Sequence, residues 1–194
     1  MMARQHLEFA GITSIAATTY LATIGPDILI DNPMLFIGTS LIGSLIPDID
    51  SPSSTIGMLF PHLSVWINNK FEHRTITHDL LLWSIVAIIS SILFPITLGF
   101  WCGYIGHLIL DAFTVAGICW GYSFHKHYFK AWRYNMKNMR FRDGVIHLSP
   151  RSLRVRSHTF AAKVLTLTLA LGIAYIFYYI DGGMSIKEIL LLLD

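Results

Sequence analysis

Five long apolar runs, separated by polar breaks, dominate the sequence. Several breaks contain proline, which ends helices because it has no backbone N–H to donate. The pattern predicts one helix per run, over Leu7–Leu21, Met34–Ile46, Leu80–Ile96, Gly99–Tyr122 and Phe160–Ile180. The first two runs are shorter than the roughly 20 residues that usually cross a bilayer. We expect them to form short tilted helices or a re-entrant hairpin.

A more polar stretch, Asp50–Asp79, joins the second and third runs. Within it, apolar residues recur at helical spacing over Met58–Phe71, among them Leu59, Leu63 and Trp66. The spacing predicts a short amphipathic helix, and such helices lie in the plane of the membrane surface.

The composition indicates an integral membrane protein. Hydrophobic residues make up 54% of the 194 residues and charged residues only 13%, whereas soluble domains carry about 25% charged residues. We therefore predict an all-α fold, a polytopic membrane bundle with four to five membrane segments. A cleaved signal peptide is the alternative for the N-terminus and would remove His6, but the apolar segments that follow favour a retained segment.

Positive charge is concentrated between the fourth and fifth runs. Nine Lys and Arg residues lie between Phe124 and Phe160, against one acidic residue, Asp143. Because Lys and Arg near membrane segments favour the cytoplasmic side, we expect this loop and the N-terminus to lie there. We expect the loop to contact anionic lipid headgroups. Nucleic acid is not an expected partner, because no recognisable binding module is present.

Histidine and aspartate residues form three short motifs in this apolar chain. His107 and Asp111 are four residues apart, so they lie on one helix face and can grip one ion. A buried pair that only joins two helices is the alternative. Gly99, Gly103 and Gly106 precede the pair and Gly117 and Gly121 follow it. Such small residues allow close helix approach in membranes.

The second motif holds Asp48 and Asp50 between Pro47 and Pro52. Two prolines this close disfavour a continuous helix. In an extended turn, residues two apart point in similar directions, so both carboxylates can face one pocket. An exposed acidic turn or a helix cap is the alternative.

The third motif places His73 and His78 on either side of Arg74 and Thr77. Thr77 is expected to cap the helix that follows, and Arg74 to contact an anionic phosphate or carboxylate. The alternative is an interfacial polar cluster with Arg74 at a lipid headgroup. The predicted orientation brings His6 and the second and third motifs to the cytoplasmic face.

Together these residues resemble the YdjM-like family of bacterial inner-membrane metal-dependent hydrolases. The resemblance implies an all-helical metal site similar to that of zinc-dependent phospholipase C, in which a His-x-x-x-Asp helix supplies part of a multinuclear zinc site. Asp79 departs from the small residue usual at its position. The matching pieces are His6, Leu45–Pro52, His73-Arg74-x-x-Thr77-His78 and the Gly103–Gly117 stretch with His107 and Asp111.

We therefore expect a membrane-bound metal-dependent hydrolase, multi-pass in the bacterial inner membrane, that acts on a phosphoester of a lipid or lipid-linked substrate. Arg74 would stabilise charge, and Asp48 or Asp50 would act as general base. A transporter or proton/metal relay that uses the same cluster is the alternative, as is a non-catalytic membrane-anchored binding protein. The expected ligands of one to three Zn²⁺ ions are His6, Asp48, Asp50, His73, His78, His107 and Asp111.

Three parts of the chain are expected from this pattern. Residues 1–123 form a membrane-embedded metal-site domain, and residues 124–159 form the basic cytoplasmic loop. Residues 160–194 supply a C-terminal membrane helix and tail.

Overall fold

A computed structural model describes residues 3–24, 32–71, 73–119, 121, 145–146, 154–156 and 159–180. These residues are almost entirely helical, as predicted. The α-helices in the described ranges are α1 (Ala3–Ile24), α2 (Pro33–Gly43), α3 (Thr55–Leu59), α4 (Pro61–Phe71), α5 (Leu80–Leu93), α6 (Leu98–Ala112) and α7 (Phe160–Ile180). Short 3₁₀ turns cover Ile46–Asp50, Ile76–His78 and Pro95–Thr97, and an antiparallel pair joins β1 (Ile118–Cys119) to β2 (Val145–Ile146).

All five predicted helices are confirmed, and the last has the predicted bounds. The prediction that the fourth helix continues to Tyr122 is wrong, because α6 ends at Ala112. Beyond it the backbone pairs with Val155, and Gly117 takes a φ of 68°. A left-handed residue of this kind cannot continue a right-handed helix and suits glycine, which lacks a Cβ.

The amphipathic stretch is divided into α3 and α4, so one helix over Met58–Phe71 is a wrong prediction. The division falls at Phe60, whose φ of −126° and ψ of 61° are not helical. Pro61 follows directly, and proline disfavours the helical region for the residue before it. The two short helices both pack against the 3₁₀ turn Ile46–Asp50.

Helix α6 is central to the fold, since it packs against α1, α2 and α5. Its contact with α2 depends on Gly43, Gly99 and Gly103, since a Cβ at any of the three would meet the backbone of the other helix. A Cβ at Gly43 would lie 2.0 Å from the carbonyl oxygen of Phe100, and one at Gly103 would lie 1.8 Å from that of Ser40. The predicted close approach through small residues is therefore confirmed, and it brings two backbones into direct contact.

Replacing Gly103 with alanine should separate α2 from α6. Because the added Cβ meets backbone and not a movable side chain, we expect a loss of about 1–3 kcal/mol or more in the free energy of unfolding. Gly38 in α2 is the matched control, because nothing lies within 4 Å of a Cβ built there. Gly38→Ala should be neutral or stabilise by up to about 1 kcal/mol. Thermal unfolding in detergent measures both, and equal behaviour of the two variants would contradict the contact.

Two apolar clusters surround α6. Phe9 and Leu110 pack with Ala162 and Ala170, which joins α1 and α6 to α7. On the other side, Tyr104 and its neighbours form a second cluster with Leu108, Ala112 and Ile118. The polar face of α6, which carries His107 and Asp111, is buried between these clusters.

Large apolar side chains are exposed along α5 and α7. Such continuous apolar surface is unusual on soluble monomers and marks contact with a partner or a membrane. Among the residues that the structure describes, no helix is both long enough and apolar enough to cross a bilayer. The exposed side chains are Ile85, Ile88, Ile89, Ile92 and Leu93 on α5, and Phe160, Val164, Leu167, Leu171 and Ile176 on α7.

Candidate metal centre

The residues that the sequence singled out all meet at one place in the fold. Helix α1 supplies His6, and α6 supplies His107 and Asp111. The remaining members come from the turn Ile46–Asp50, the turn Ile76–His78 and the segment between α4 and the latter turn. They are Asp48, Asp50, His73, Arg74 and His78.

Two histidines and two carboxylates form the centre of this cluster. Nε2 of His78 lies 3.8 Å from Oδ1 of Asp48 and 3.6 Å from Oδ2 of Asp111. Nε2 of His107 lies 3.6 Å and 3.7 Å from the same two oxygens. Ligands held at about 2.0–2.1 Å from a tetrahedral zinc ion are about 3.4 Å apart. These four separations are therefore close to those between zinc ligands. Asp48, His78 and His107 form one group whose ligand atoms lie within 4.8 Å of one another.

Hydrogen bonds orient both imidazoles toward this centre. Nδ1 of His107 lies 2.7 Å from the carbonyl oxygen of Ser44, which can only accept. Nδ1 of His78 lies 3.0 Å from the Thr77 hydroxyl oxygen, which itself donates to Asp50, and 3.3 Å from Oδ2 of Asp50. Because Nδ1 of each ring faces these oxygens, Nε2 is the ring nitrogen that points into the centre. Histidines that bind metals are commonly held in this way by a carbonyl or carboxylate behind the ring.

His6 extends the cluster on the α1 side. Its ring stacks on that of His107 with centroids 3.6 Å apart and planes at 10°. Its Nε2 lies 3.6 Å from Oδ1 of Asp111, so the two oxygens of Asp111 face different histidines. His6, His107 and Asp111 form a second group whose ligand atoms lie within 4.8 Å of one another.

Asp50 has a different position from Asp48, although the sequence predicted the same one for both. Its buried carboxylate accepts from Nδ1 of His73 at 2.7 Å and from the backbone N–H of Arg74 at 2.8 Å. It also accepts from the Thr77 hydroxyl. Asp50 thus binds the third motif to the turn, while Asp48 is 14% exposed and faces the centre. Asp48, Asp50 and His73 remain a third possible ligand group.

The expectation that Thr77 caps α5 is wrong, since its hydroxyl is used by Asp50. Asp79 caps the helix by accepting from the backbone N–H of Leu82 at 3.2 Å. Its same oxygen also accepts from the N–H of Gly121 at 2.9 Å. Asp79, which departs from the family pattern, therefore caps α5 and binds the Gly121 backbone beside the site.

Arg74 lies across the cluster with its backbone in the left-handed region, at a φ of 63°. Its Nη2 donates to Oδ2 of Asp111 at 2.7 Å. Its Nη1 donates to the Thr114 hydroxyl at 3.0 Å and to the carbonyl of Gly117 at 3.2 Å. The guanidinium therefore binds the turn that follows α6, and contact with a phosphoryl group stays a prediction.

Electrostatics in the cluster favour a bound cation. Burial raises the pKa of Asp50, but hydrogen bonds from His73 and His78 outweigh it and hold that pKa well below its usual range. Burial lowers the pKa of His78, yet the neighbouring carboxylates of Asp111 and Asp50 outweigh it and raise the pKa to about 9. The carboxylates thus stabilise positive charge at the position of this ring.

The donor set fits a divalent metal. Nε2 of His78, Nε2 of His107 and both ring nitrogens of His6 are buried without a hydrogen-bond partner among the described residues. Unpaired buried donors and acceptors are costly, and a metal ion would satisfy lone pairs that point at it. The three aspartates and one arginine leave two negative charges when the histidines are neutral, which one divalent cation balances. Imidazole and carboxylate are ligands that zinc takes.

Sequence reasoning missed three groups that support the site. They are the Ser44 carbonyl behind His107, the Thr77 hydroxyl on Asp50, and the Tyr104 hydroxyl, which donates to the Thr77 carbonyl at 2.7 Å. Backbone carbonyls leave no signal in a sequence. Tyr104, one helical turn before His107, lies in the stretch that resembles the family, but the resemblance implies no role for its hydroxyl.

Replacing Asp50 with asparagine keeps the shape but removes the charge behind His78 and His73. Losing such a supporting partner typically costs about 10–100-fold in metal affinity. We expect Asp50→Asn to fold and to bind zinc that much more weakly. Asn68→Ala is the control, because Asn68 donates to the backbone carbonyl of Asp50 and leaves its carboxylate untouched. Competition with a fluorescent zinc chelator measures affinity, and unchanged affinity in Asp50→Asn would contradict the supporting role.

The fold and the cluster define a class: a helical protein with a buried His/Asp site that can hold a metal ion. Comparison with known sequences then identifies the family. The sequence model of the YdjM inner membrane protein family matches residues 1–182, and the chain belongs to that family. The expected YdjM family is thereby confirmed, and with it an inner-membrane protein, while the similarity to zinc-dependent phospholipase C stays a prediction.

Individual relatives agree with this assignment. YvsG of Bacillus subtilis (strain 168) is 39% identical over 121 residues, which are 61% of this chain and 71% of YvsG. Inner membrane protein YdjM of Escherichia coli (strain K12) is 27% identical over 128 residues, 61% of this chain. The chain spans 63% of that relative, less than two thirds of its length. No solved structure matches.

Proposed function

We propose that this protein is a membrane-bound metal-dependent hydrolase that acts on a phosphoester of a lipid or lipid-linked substrate. One observation carries the proposal: unpaired Nε2 atoms of two oriented histidines lie 3.6–3.8 Å from oxygens of two aspartates in a buried cluster. Buried ionisable groups in an inner-membrane protein are costly unless they pair or bind something, so they indicate function.

Zinc is the metal we propose. His78, His107, Asp48 and Asp111 would hold it, and His6 is the nearest further donor. Bound there, zinc would supply a Lewis acid for a phosphoryl oxygen and make a coordinated water more acidic. His73 and Asp50 remain proposed ligands of a further ion, through the third group.

The chain's own residues take distinct roles in this proposal. Asp48 is the proposed general base when it is not a ligand, because its side chain reaches the surface and that of Asp50 does not. Arg74, 14% exposed in its side chain, would stabilise charge on the phosphoryl oxygens and keeps Asp111 in place. A guanidinium presents several donors in one plane and suits this task better than an ammonium group.

We also propose that the protein is embedded in the inner membrane through several segments. The exposed apolar faces of α5 and α7 support this, because lipid is the environment that accepts them. The N-terminus and the basic loop would lie on the cytoplasmic side, the loop against anionic headgroups; most of that loop lies outside the described residues. Labelling of an Asn135→Cys variant from each side of the membrane in sealed vesicles tests the orientation. Labelling only from the side that faces the cell exterior would reverse the proposed orientation.

A direct assay tests the proposed activity. Purified wild-type protein, stripped with a chelator and reloaded with Zn²⁺, would be given lipid phosphomonoesters, phosphodiesters and carboxyl esters in mixed micelles. Cleavage of a phosphoester that disappears on chelation and returns with zinc is the expected result. Cleavage of the carboxyl ester alone would mean that the substrate is a carboxyl ester and not a phosphoester. No zinc-dependent cleavage of any of them would contradict the hydrolase.

One observation favours a proton or metal relay as the second candidate. Ionisable side chains form a continuous chain from the partly exposed His73 through Asp50, His78 and Asp111 to buried His6, with successive separations of 2.7, 3.3, 3.6 and 3.6 Å. Chains of this kind carry protons in membrane pumps. Proton or zinc flux into liposomes containing the protein, lost in His78→Ala, would favour the relay.

A further inference from the structure

We propose that α3 and α4 form a docking surface for the interfacial zone of an anionic phospholipid bilayer. We call it the α3–α4 surface. The inference rests on the membrane location that the family shows and not on the proposed hydrolysis. Its position beside the metal centre would place the turn that carries Asp48 at the level of lipid headgroups.

The α3–α4 surface is formed by large apolar side chains that the rest of the protein leaves uncovered. Each of them is between 45% and 68% exposed. The two helices and Phe60, which lies between them, thus present six exposed apolar side chains in one stretch of chain. Single exposed apolar side chains would be ordinary. The six are Met58, Leu59, Phe60, Leu63, Val65 and Trp66.

The opposite face of the two helices is anchored to the site. Ile56, Gly57 and Ser64 are buried there. The Ser54 hydroxyl donates to the Asp48 carbonyl at 2.7 Å, and the Asn68 amide donates to the Asp50 carbonyl at 2.8 Å. The exposed apolar face therefore has a set direction relative to the acidic turn, because both helices are bound to that turn by their inner side.

Size and charge select a bilayer as the occupant. At about 1.5 Å per residue α4 is about 16 Å long, too short to cross the roughly 30 Å hydrocarbon core, so it suits a position along the surface. From Thr55 to Phe71 there is no acidic residue, and Lys70 is the basic one. Its Nζ lies 4.8 Å from the centre of the Trp66 ring. Tryptophan with a nearby lysine is the pairing found where membranes meet water.

Depth measurements on the full chain test this inference. Single cysteines at Leu63 and Trp66 on the surface, and at Ser53 as the control, would be introduced in a Cys102→Ser, Cys119→Ser background and labelled with an environment-sensitive fluorophore. Ser53 is exposed and polar and lies in the turn just before α3. The proteins would be placed in vesicles of phosphatidylethanolamine and phosphatidylglycerol. Quenching by nitroxide lipids and by aqueous iodide then reports depth.

We expect nitroxides in the shallow acyl region to quench labels at positions 63 and 66 at least twofold more than the label at 53. Iodide should show the reverse order. Equal quenching of all three labels by iodide would overturn the proposal. Protection from both quenchers that disappears when protein is diluted in excess lipid would assign the surface to a second copy and would also overturn it. Unfolding temperatures in detergent verify that each variant is folded, and none of these outcomes depends on hydrolysis.

Discussion

Purified wild-type protein is expected to hold zinc, and the His107→Ala, Asp111→Ala double variant to hold none. The double variant removes one of the two central imidazoles and the carboxylate whose oxygens lie 3.6–3.7 Å from three histidines. A site left with two of its four central donors should not retain zinc, since structural and catalytic zinc ions need three or four protein ligands. Metal analysis of detergent-purified protein measures the loss directly.

His62→Ala serves as the control for this experiment. His62 is exposed on α4 and belongs to none of the three ligand groups, so this variant should keep its zinc. Wild-type protein that is folded and monodisperse without zinc, and unaffected by a chelator, would contradict the metal site. The cluster would then be a structural polar network.

Loss of catalysis without loss of fold is the second large effect we expect. Asp48→Asn keeps the shape of the partly exposed carboxylate but removes its charge, and Arg74→Lys keeps the charge but loses the planar fork. Each should lower kcat by about 10²–10³ on the lipid phosphoester, the usual effect of removing a charge-stabilising group. For Arg74→Lys the reason is geometric, because one ammonium group cannot reach Asp111, Thr114 and Gly117 together.

A conservative change at an exposed arginine outside the cluster provides the comparison. Arg4→Lys alters an exposed arginine that pairs with Glu8 at 2.7 Å within α1, so kcat should stay at the wild-type value. Unfolding temperature in detergent separates catalytic from structural effects. Full activity in both Asp48→Asn and Arg74→Lys would remove these residues from the proposed mechanism. Activity lost together with the fold would give Arg74 a structural role only.

Helix positions were predictable from this sequence because helices that lie in apolar surroundings are built from long uninterrupted runs of apolar residues. The last run became α7 with the same bounds, and His107 and Asp111 lie on one face as a spacing of four requires. The end of α6 was not predictable. It depends on pairing with Val155, which is far along the chain, and on Arg74 donating to the Gly117 carbonyl.

The membership of the site was predictable, but the division of labour within it was not. A spacing of two suggested that Asp48 and Asp50 face one pocket. The 3₁₀ turn instead buries Asp50 under His73, Arg74 and Thr77 and leaves Asp48 partly exposed. Spacing describes directions on an ideal strand or helix, whereas these roles follow from which donors another part of the chain supplies.

The ligands of the centre are far apart in the chain, from His6 in the first helix to Asp111 at the end of the sixth. His6, His78 and His107 all face Asp111 only when α1, α6 and the turn Ile76–His78 have come together. The Ser44 carbonyl reaches His107 across the close glycine contact between α2 and α6. Contacts of such long sequence separation form late in folding, and metal affinity adds directly to the stability of the assembled state. We therefore expect the proposed zinc binding to be one of the last events in the biogenesis of this protein, so that its rate reports completed assembly.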